Sequence, residues 1–173
     1  MKLIVEYGKC ISILLVLFFN GSLAAEQFNY QKAGIVFEID QLQHDPSSSK
    51  AEPASIVFKA GKSPFSVSVL FRLEAENKTL NEFVKQHIKE VTEAGYLAEI
   101  TTQEVKLDGY TAFEITRHSP YQVIHWYLFQ KHPSQQVYSF WLTENKSLKA
   151  ENKQALAAYE LMKNSLEFVK EKP

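Results

Sequence analysis

Cysteine is nearly missing from this chain: among 173 residues only Cys10 carries a thiol. It lies before a greasy stretch, whereas a lipid-bearing cysteine would follow one behind a small-residue box, so lipidation is not expected. Beyond residue 25 there is no thiol at all, which excludes a disulfide, a cysteine nucleophile and sulfur-bound metal there. An excess of either charge is missing too. The formal net charge is −1, and without Lys2, Lys9 and Glu6 the chain keeps 17 basic and 19 acidic residues. Such a balance leaves no electrostatic footprint for nucleic acid or an anionic membrane. The apolar stretch Ile11–Phe19 is nine residues long, counting Ser12, well short of the ~20 that cross a bilayer. Catalytic signatures are absent as well. The chain has no glycine-rich phosphate loop, no serine-nucleophile elbow, no histidines at metalloprotease spacing and no dinucleotide fingerprint.

What is present begins with an address. Lys2 and Lys9, the run Ile11–Phe19, Asn20-Gly21-Ser22 and then Leu23-Ala24-Ala25 make the three-part layout of a secretory signal. Cleavage after Ala25 is expected, with Ala24 next, and the product is periplasmic or secreted from a bacterium. A signal anchor that is never cut is the plainer alternative. The remaining 148 residues, 26–173, make one domain, and the composition is ordinary for a globular protein at 45% apolar and 23% charged.

Local patterns order the elements. Phe28–Tyr30 and Ile35–Ile39 flank Gly34 as a hairpin, and residues 44–53, broken by Pro46 and Pro53, read as a mobile loop. Strands follow over Ala54–Phe58 and Phe65–Leu73, the second placing Phe65, Val67, Val69 and Phe71 on one apolar face. Thr79-Leu80-Asn81-Glu82 is a capping box, and Leu80, Phe83, Val84, His87, Ile88 and Val91 recur at helical spacing up to Gly95. Asp108-Gly109 joins strands over Ala98–Leu107 and Tyr110–Arg117 as a hairpin turn. Strands over Val123–Lys131 and Val137–Thr143 complete a meander. A last helix is expected over Lys149–Val169, burying Ala155, Tyr159, Met162, Leu166 and Val169, with Ser147 or Asn145 at its start. Asn77-Lys78-Thr79 and Asn145-Lys146-Ser147 fit the glycosylation pattern but read as helix-start chemistry in a bacterial product.

Pairing His118 with Val123 makes every pair of that hairpin sum to 241. One face then collects Phe113, Ile115, Ile124, Trp126 and Leu128, and the other Tyr110, Ala112, Glu114, Thr116, Val123, His125, Tyr127 and Phe129. A sheet with one wet side would alternate cleanly, so both faces are covered. The expected fold is α+β, an α/β/α sandwich whose central antiparallel sheet carries one helix on each side and leaves no evident reaction chamber.

This layout resembles the PsbP and Mog-type superfamily, including exported bacterial DcrB-like members. Its echoes are Ser66-Val67-Ser68-Val69, Thr79 to Val84, Val105 to Ala112, and Tyr138-Ser139-Phe140. Asp40-Gln41-Leu42-Gln43 replaces a proline-and-tryptophan segment common in those proteins, and no functional residue carries over. The resemblance implies binding and assembly work: known members include a photosystem II extrinsic subunit, a Ran-binding factor and envelope proteins.

Three candidate constellations follow. In the register above, Glu114 and His118 are the diagonal neighbours of His125, a donor set that suits zinc or copper. The plainer reading places His118 at a turn, His125 partly under a helix and Glu114 in water. His132 lies seven residues beyond His125 and points the other way. Tyr121, Gln122, Tyr127 and Trp141 are candidates for a binding surface, joined by Tyr110 and Phe129, against the plainer reading that most are core. His87 reads as a helix-flank residue, and His44-Asp45 lacks the fixed geometry that proton transfer needs. The expected function is non-catalytic recognition of an envelope protein by a monomer that needs no cofactor. The alternative is a periplasmic carrier of a small hydrophobic ligand or a transition metal.

Overall fold

A computed structural model of the chain describes residues 25–30, 34–39, 42–45, 55–60, 68–75, 77–94, 98–131 and 136–169. The leader, Gly95, Phe65 to Val67 and His132 therefore lie outside the described residues.

The strands are β1 (Glu26–Tyr30), β2 (Ile35–Ile39), β3 (Leu42–Asp45), β4 (Ser55–Ala60) and β5 (Ser68–Ala75). Helix α1 (Leu80–Glu93) follows, then β6 (Glu99–Leu107), β7 (Tyr110–His118), β8 (Gln122–Phe129), β9 (Val137–Asn145), α2 (Lys149–Asn164) and β10 (Glu167–Phe168). Seven strands form one antiparallel sheet in the order β3-β4-β5-β9-β8-β7-β6. The meander is the one expected, with His118 opposite Val123 and Ala112 opposite Phe129. Asp108 and Gly109 both take positive φ, 49° and 83°, the conformation that a two-residue hairpin matched to strand twist requires.

Both sheet faces are roofed. On one, Ile115, Trp126, Leu128 and Val137 pack against Leu80 and Val84 of α1. On the other, Ala112, Tyr127, Phe129, Phe140 and Leu142 pack against Ala155, Tyr159 and Met162 of α2. The protein is an α+β sandwich with a helix on each side.

The second face carries more than a helix. Strands β1, β2 and β10 form a separate three-stranded sheet beside α2, and Ile35, Phe37 and Phe168 from it enter the same core. Phe37 stands 5.0 Å from Phe140 and 5.8 Å from Phe58, ring centre to ring centre, so aromatic edges and faces knit the two sheets.

Two expectations are corrected. The presumed loop from residue 44 begins as strand, since His44 and Asp45 pair with Phe58 and Val57; the rest of the segment, 46–53, lies outside the described residues. The last helix ends at Asn164 instead of running to Val169. There the Ser165 hydroxyl donates to the Leu161 carbonyl at 2.7 Å and accepts the Glu38 amide at 2.7 Å, which turns the chain into β10 against β2. Leu166 is still buried, but Val169 is 42% exposed.

Helix α1 starts on the expected box: Glu82 N–H donates to the Thr79 hydroxyl, and Thr79 N–H to the Glu82 carboxylate at 3.0 Å. Helix α2 starts differently. Its N-cap, Leu148, makes no side-chain cap bond, and Asn145 instead accepts the Ser147 amide at 3.0 Å. Asn152, buried in the first turn, brackets Asn145 by accepting its N–H at 3.1 Å and donating to its carbonyl at 2.6 Å.

Candidate functional site

The α1 side of the sheet holds a cleft of roughly 250 Å³, and period-two alternation explains its floor. Trp126 of β8 lies directly opposite Trp141 of β9, and Arg72 of β5 opposite Ser139, so these side chains share one face with Glu74. The two indole rings stand 4.5 Å apart at 62°. Helix α1 forms the wall through Phe83, Gln86, His87 and Glu90, successive positions of its inner flank. A buried amide fastens that wall to the sheet. Gln130, 6% exposed, accepts Leu80 N–H at 3.0 Å and donates to the Lys78 carbonyl at 2.8 Å, which answers an open donor at the helix start.

Glu74 is the central acid of the cleft, its side chain 7% exposed. Its Oε1 accepts the Trp126 indole N–H at 3.2 Å and the Ser139 hydroxyl at 2.5 Å, with Arg72 Nε 3.9 Å away. The Arg72 guanidinium lies 5.5 Å above the Trp141 ring. The His87 ring stands edge-on to Trp126 at 4.0 Å. Burial lowers the His87 pKa, with Arg117 acting in the same sense and Glu90 against it, so the imidazole is neutral at neutral pH. Adjoining it between α1 and the sheet, His87, Val91, Ile100, Ile115, Arg117 and Trp126 line a small, partly open and mostly apolar pocket of about 20 Å³, room for one water.

The other candidate residues are dispersed. His125 points toward α2, where Nε2 meets Glu144 Oε1 and the ring lies 5.9 Å from Tyr159. Glu114 turns instead to Lys163 of α2 at 3.1 Å, and the same ammonium reaches Glu160 at 2.7 Å. Burial works to lower the Lys163 pKa, but the hydrogen bonds to Glu160 and Glu114 outweigh it and the pKa ends raised. His118 is exposed at the end of β7. The register places Glu114 and His118 beside His125 as expected, yet the carboxylate is spent on lysine. Among the described residues no three His, Cys, Asp or Glu side chains gather where an ion could be held.

The expected binding surface also divides. Tyr127 is core on the α2 side, 3% exposed, with its hydroxyl pKa pushed up to about 12 by burial and by the Glu114 and Asp108 carboxylates. Trp141 lies across the sheet in the cleft. Tyr121, 84% exposed, and Gln122 sit at the β7–β8 turn. That turn is braced: Ser119 N–H donates to the Gln122 carbonyl at 2.9 Å, Lys146 Nζ to the Ser119 carbonyl at 2.6 Å, and Lys146 N–H to the Tyr121 carbonyl at 3.2 Å.

No family model matches the chain, and no curated protein matches it. Solved structures do. The Saccharomyces cerevisiae Ran-binding protein Mog1p superposes with a TM-score of 0.54 at 13% identity, covering 84% of this chain and 96% of its own. A point mutant of Mog1 gives 0.54 at 14%, with the same coverage. The fold is Mog1-like. At such identity the likeness fixes architecture alone.

Within this Mog1-like frame the cleft is the feature that sequence reading missed. Glu74 lies just past the strand read over Phe65–Leu73, and Gln130 near the end of the one read over Val123–Lys131. Their partners lie 50 to 65 residues away, so no window of sequence reveals them. The cleft can bind, through aromatic faces, a carboxylate and a neutral imidazole. The hydroxyl that contacts its carboxylate, on Ser139, is 0% exposed and so out of a substrate's reach.

Proposed function

We propose that this chain is an exported, non-catalytic binding domain that recognises another protein of the cell envelope through the β7–β8 turn. The observation that carries the reading is Tyr121. A large aromatic side chain stands 84% exposed on a turn whose carbonyls are tied to the neighbouring β9–α2 turn. An aromatic residue held in place gives contact area at little entropic cost, and loops on a rigid sheet are where recognition commonly sits. The Mog1-like fold supports the class of function, because the similar yeast protein is described as Ran-binding. The leader pattern supports the address: cleavage after Ala25 leaves every described element, from β1 at Glu26 onward, whole.

The test is affinity capture from the native envelope with the wild-type protein and with Tyr121→Ala/Gln122→Ala. The wild type is expected to retain a defined partner that the variant loses at an unchanged melting temperature. Equal capture by both would overturn the site. N-terminal sequencing of the purified product tests the address: a start at Glu26 or Ala25 is expected, and an intact Met1 would contradict it.

A further inference from the structure

Glu74 has one oxygen answered and one not. Its Oε1 takes the Trp126 and Ser139 hydrogen bonds and the Arg72 contact, whereas Oε2 has no hydrogen-bond partner among the described residues. A carboxylate oxygen with no donor in a side chain this buried is costly unless something in the adjoining space completes it. That space is the cleft, floored by the two indole rings, inclined at 62° to each other.

We infer that this cleft binds one organic cation, an ammonium or guanidinium group, seated on the Trp126–Trp141 pair and held by Glu74 Oε2. A carboxylate beside tryptophan faces is the chemistry that selects cations. The protein already demonstrates the preference at the rim, where Arg72 stacks over Trp141 while its own Nε stays 3.9 Å from Glu74. The two other charged side chains of the lining, Lys78 and Glu90, balance each other. Lys78 donates to Gln86 at 2.7 Å, Gln86 donates to Glu90 at 2.7 Å, and the buried His87 is neutral and adds no repulsion. The volume, roughly 250 Å³, is below the ~300–1,000 Å³ of drug-sized sites and suits a single side-chain-sized group. The cation comes either from a basic side chain of a protein or from a free small molecule. This site is separate from the Tyr121 turn and does not rest on it.

Both tryptophans of the protein line the cleft, so their fluorescence reports occupancy directly. The protein is titrated with the tripeptides Gly-Lys-Gly and Gly-Arg-Gly, with butylammonium and ethylguanidinium, and with Gly-norleucine-Gly as the neutral control. A saturable emission change with the cations and none with norleucine is expected. Tighter tripeptides assign the source to a protein, and tighter bare cations to a small molecule. Glu74→Gln keeps an oxygen for Trp126 and Ser139 but loses the charge, and should weaken binding about tenfold or more. Arg72→Gln removes the competing cation at the rim and should strengthen it on the order of threefold. The inference is overturned by no saturable response, by an equal response to norleucine, or by binding that weakens in Arg72→Gln, the behaviour of an anion site.

Discussion

His87 shows how much of a residue's chemistry comes from its neighbours. Its place on the apolar stripe of α1 is plain in the sequence, and a helix-flank position is what the structure has. The Trp126 ring beneath it is not legible there, because Trp126 lies 39 positions away on β8. Burial depresses the folded-state pKa below the ordinary 6.5 while the unfolded chain keeps it. The unfolded state therefore holds more protons between the two values, and stability is full above about 6.5 and declines as pH falls toward the folded pKa. Urea midpoints at pH 7 and pH 5 should show that decline, and His87→Leu should flatten it; an identical slope in the variant would contradict the assignment. The alkaline limb has the opposite cause. Tyr127, raised from 10 to about 12, favours the neutral phenol, so its share of stability is full below pH 10 and lost as pH rises through 12. Tyr127→Phe should remove that share from an alkaline titration of the midpoint, and a limb of the same depth in the variant would contradict it.

Elements were legible where their signals are local. The Thr79–Glu82 box and the Asp108-Gly109 turn each specify their geometry within four residues, and both form as read. Thr79→Ala should cost about 1 kcal/mol and speed amide exchange in the first turn of α1, with Thr79→Ser restoring both; unchanged exchange would show that Gln130 alone holds that end. Helix α2 was over-extended because its stop is tertiary. The Ser165 hydroxyl ends it by accepting from Glu38 on another sheet, a partner 127 residues distant. Its start at Lys149 is as read, but the cap is not, for a related reason: Asn145 and Ser147 bond to each other, and Asn152 supplies the bracket from inside the helix. Asn152→Ala removes the bracket on the Asn145 N–H and carbonyl and should cost about 0.5–1.5 kcal/mol in chemical denaturation.

At the scale of the whole molecule, two-sided burial was readable because strands β7 and β8 are apolar on both faces, and the pairing that sums to 241 is the one observed. The small β1-β2-β10 sheet was not, since two residues of β10 carry no strand pattern of their own. The cleft escaped notice because its parts come from β5, α1, β8 and β9. The aromatic interior shared by the two sheets and α2 carries the stability, while the exposed turn is expected to carry recognition. Phe140→Ala should therefore cost about 3–5 kcal/mol, and Tyr121→Ala should stay within about 0.5 kcal/mol. That separation lets binding be tested without damaging the fold. A photo-crosslinking side chain placed at position 121 of the protein in its native cells, and in parallel at the exposed Lys153 of α2, tests recognition most directly. A discrete adduct with one envelope protein from position 121 and none from 153 is the expected result. No adduct at 121, or the same adducts from both positions, would contradict the assignment of this protein as a recognition domain acting through its β7–β8 turn.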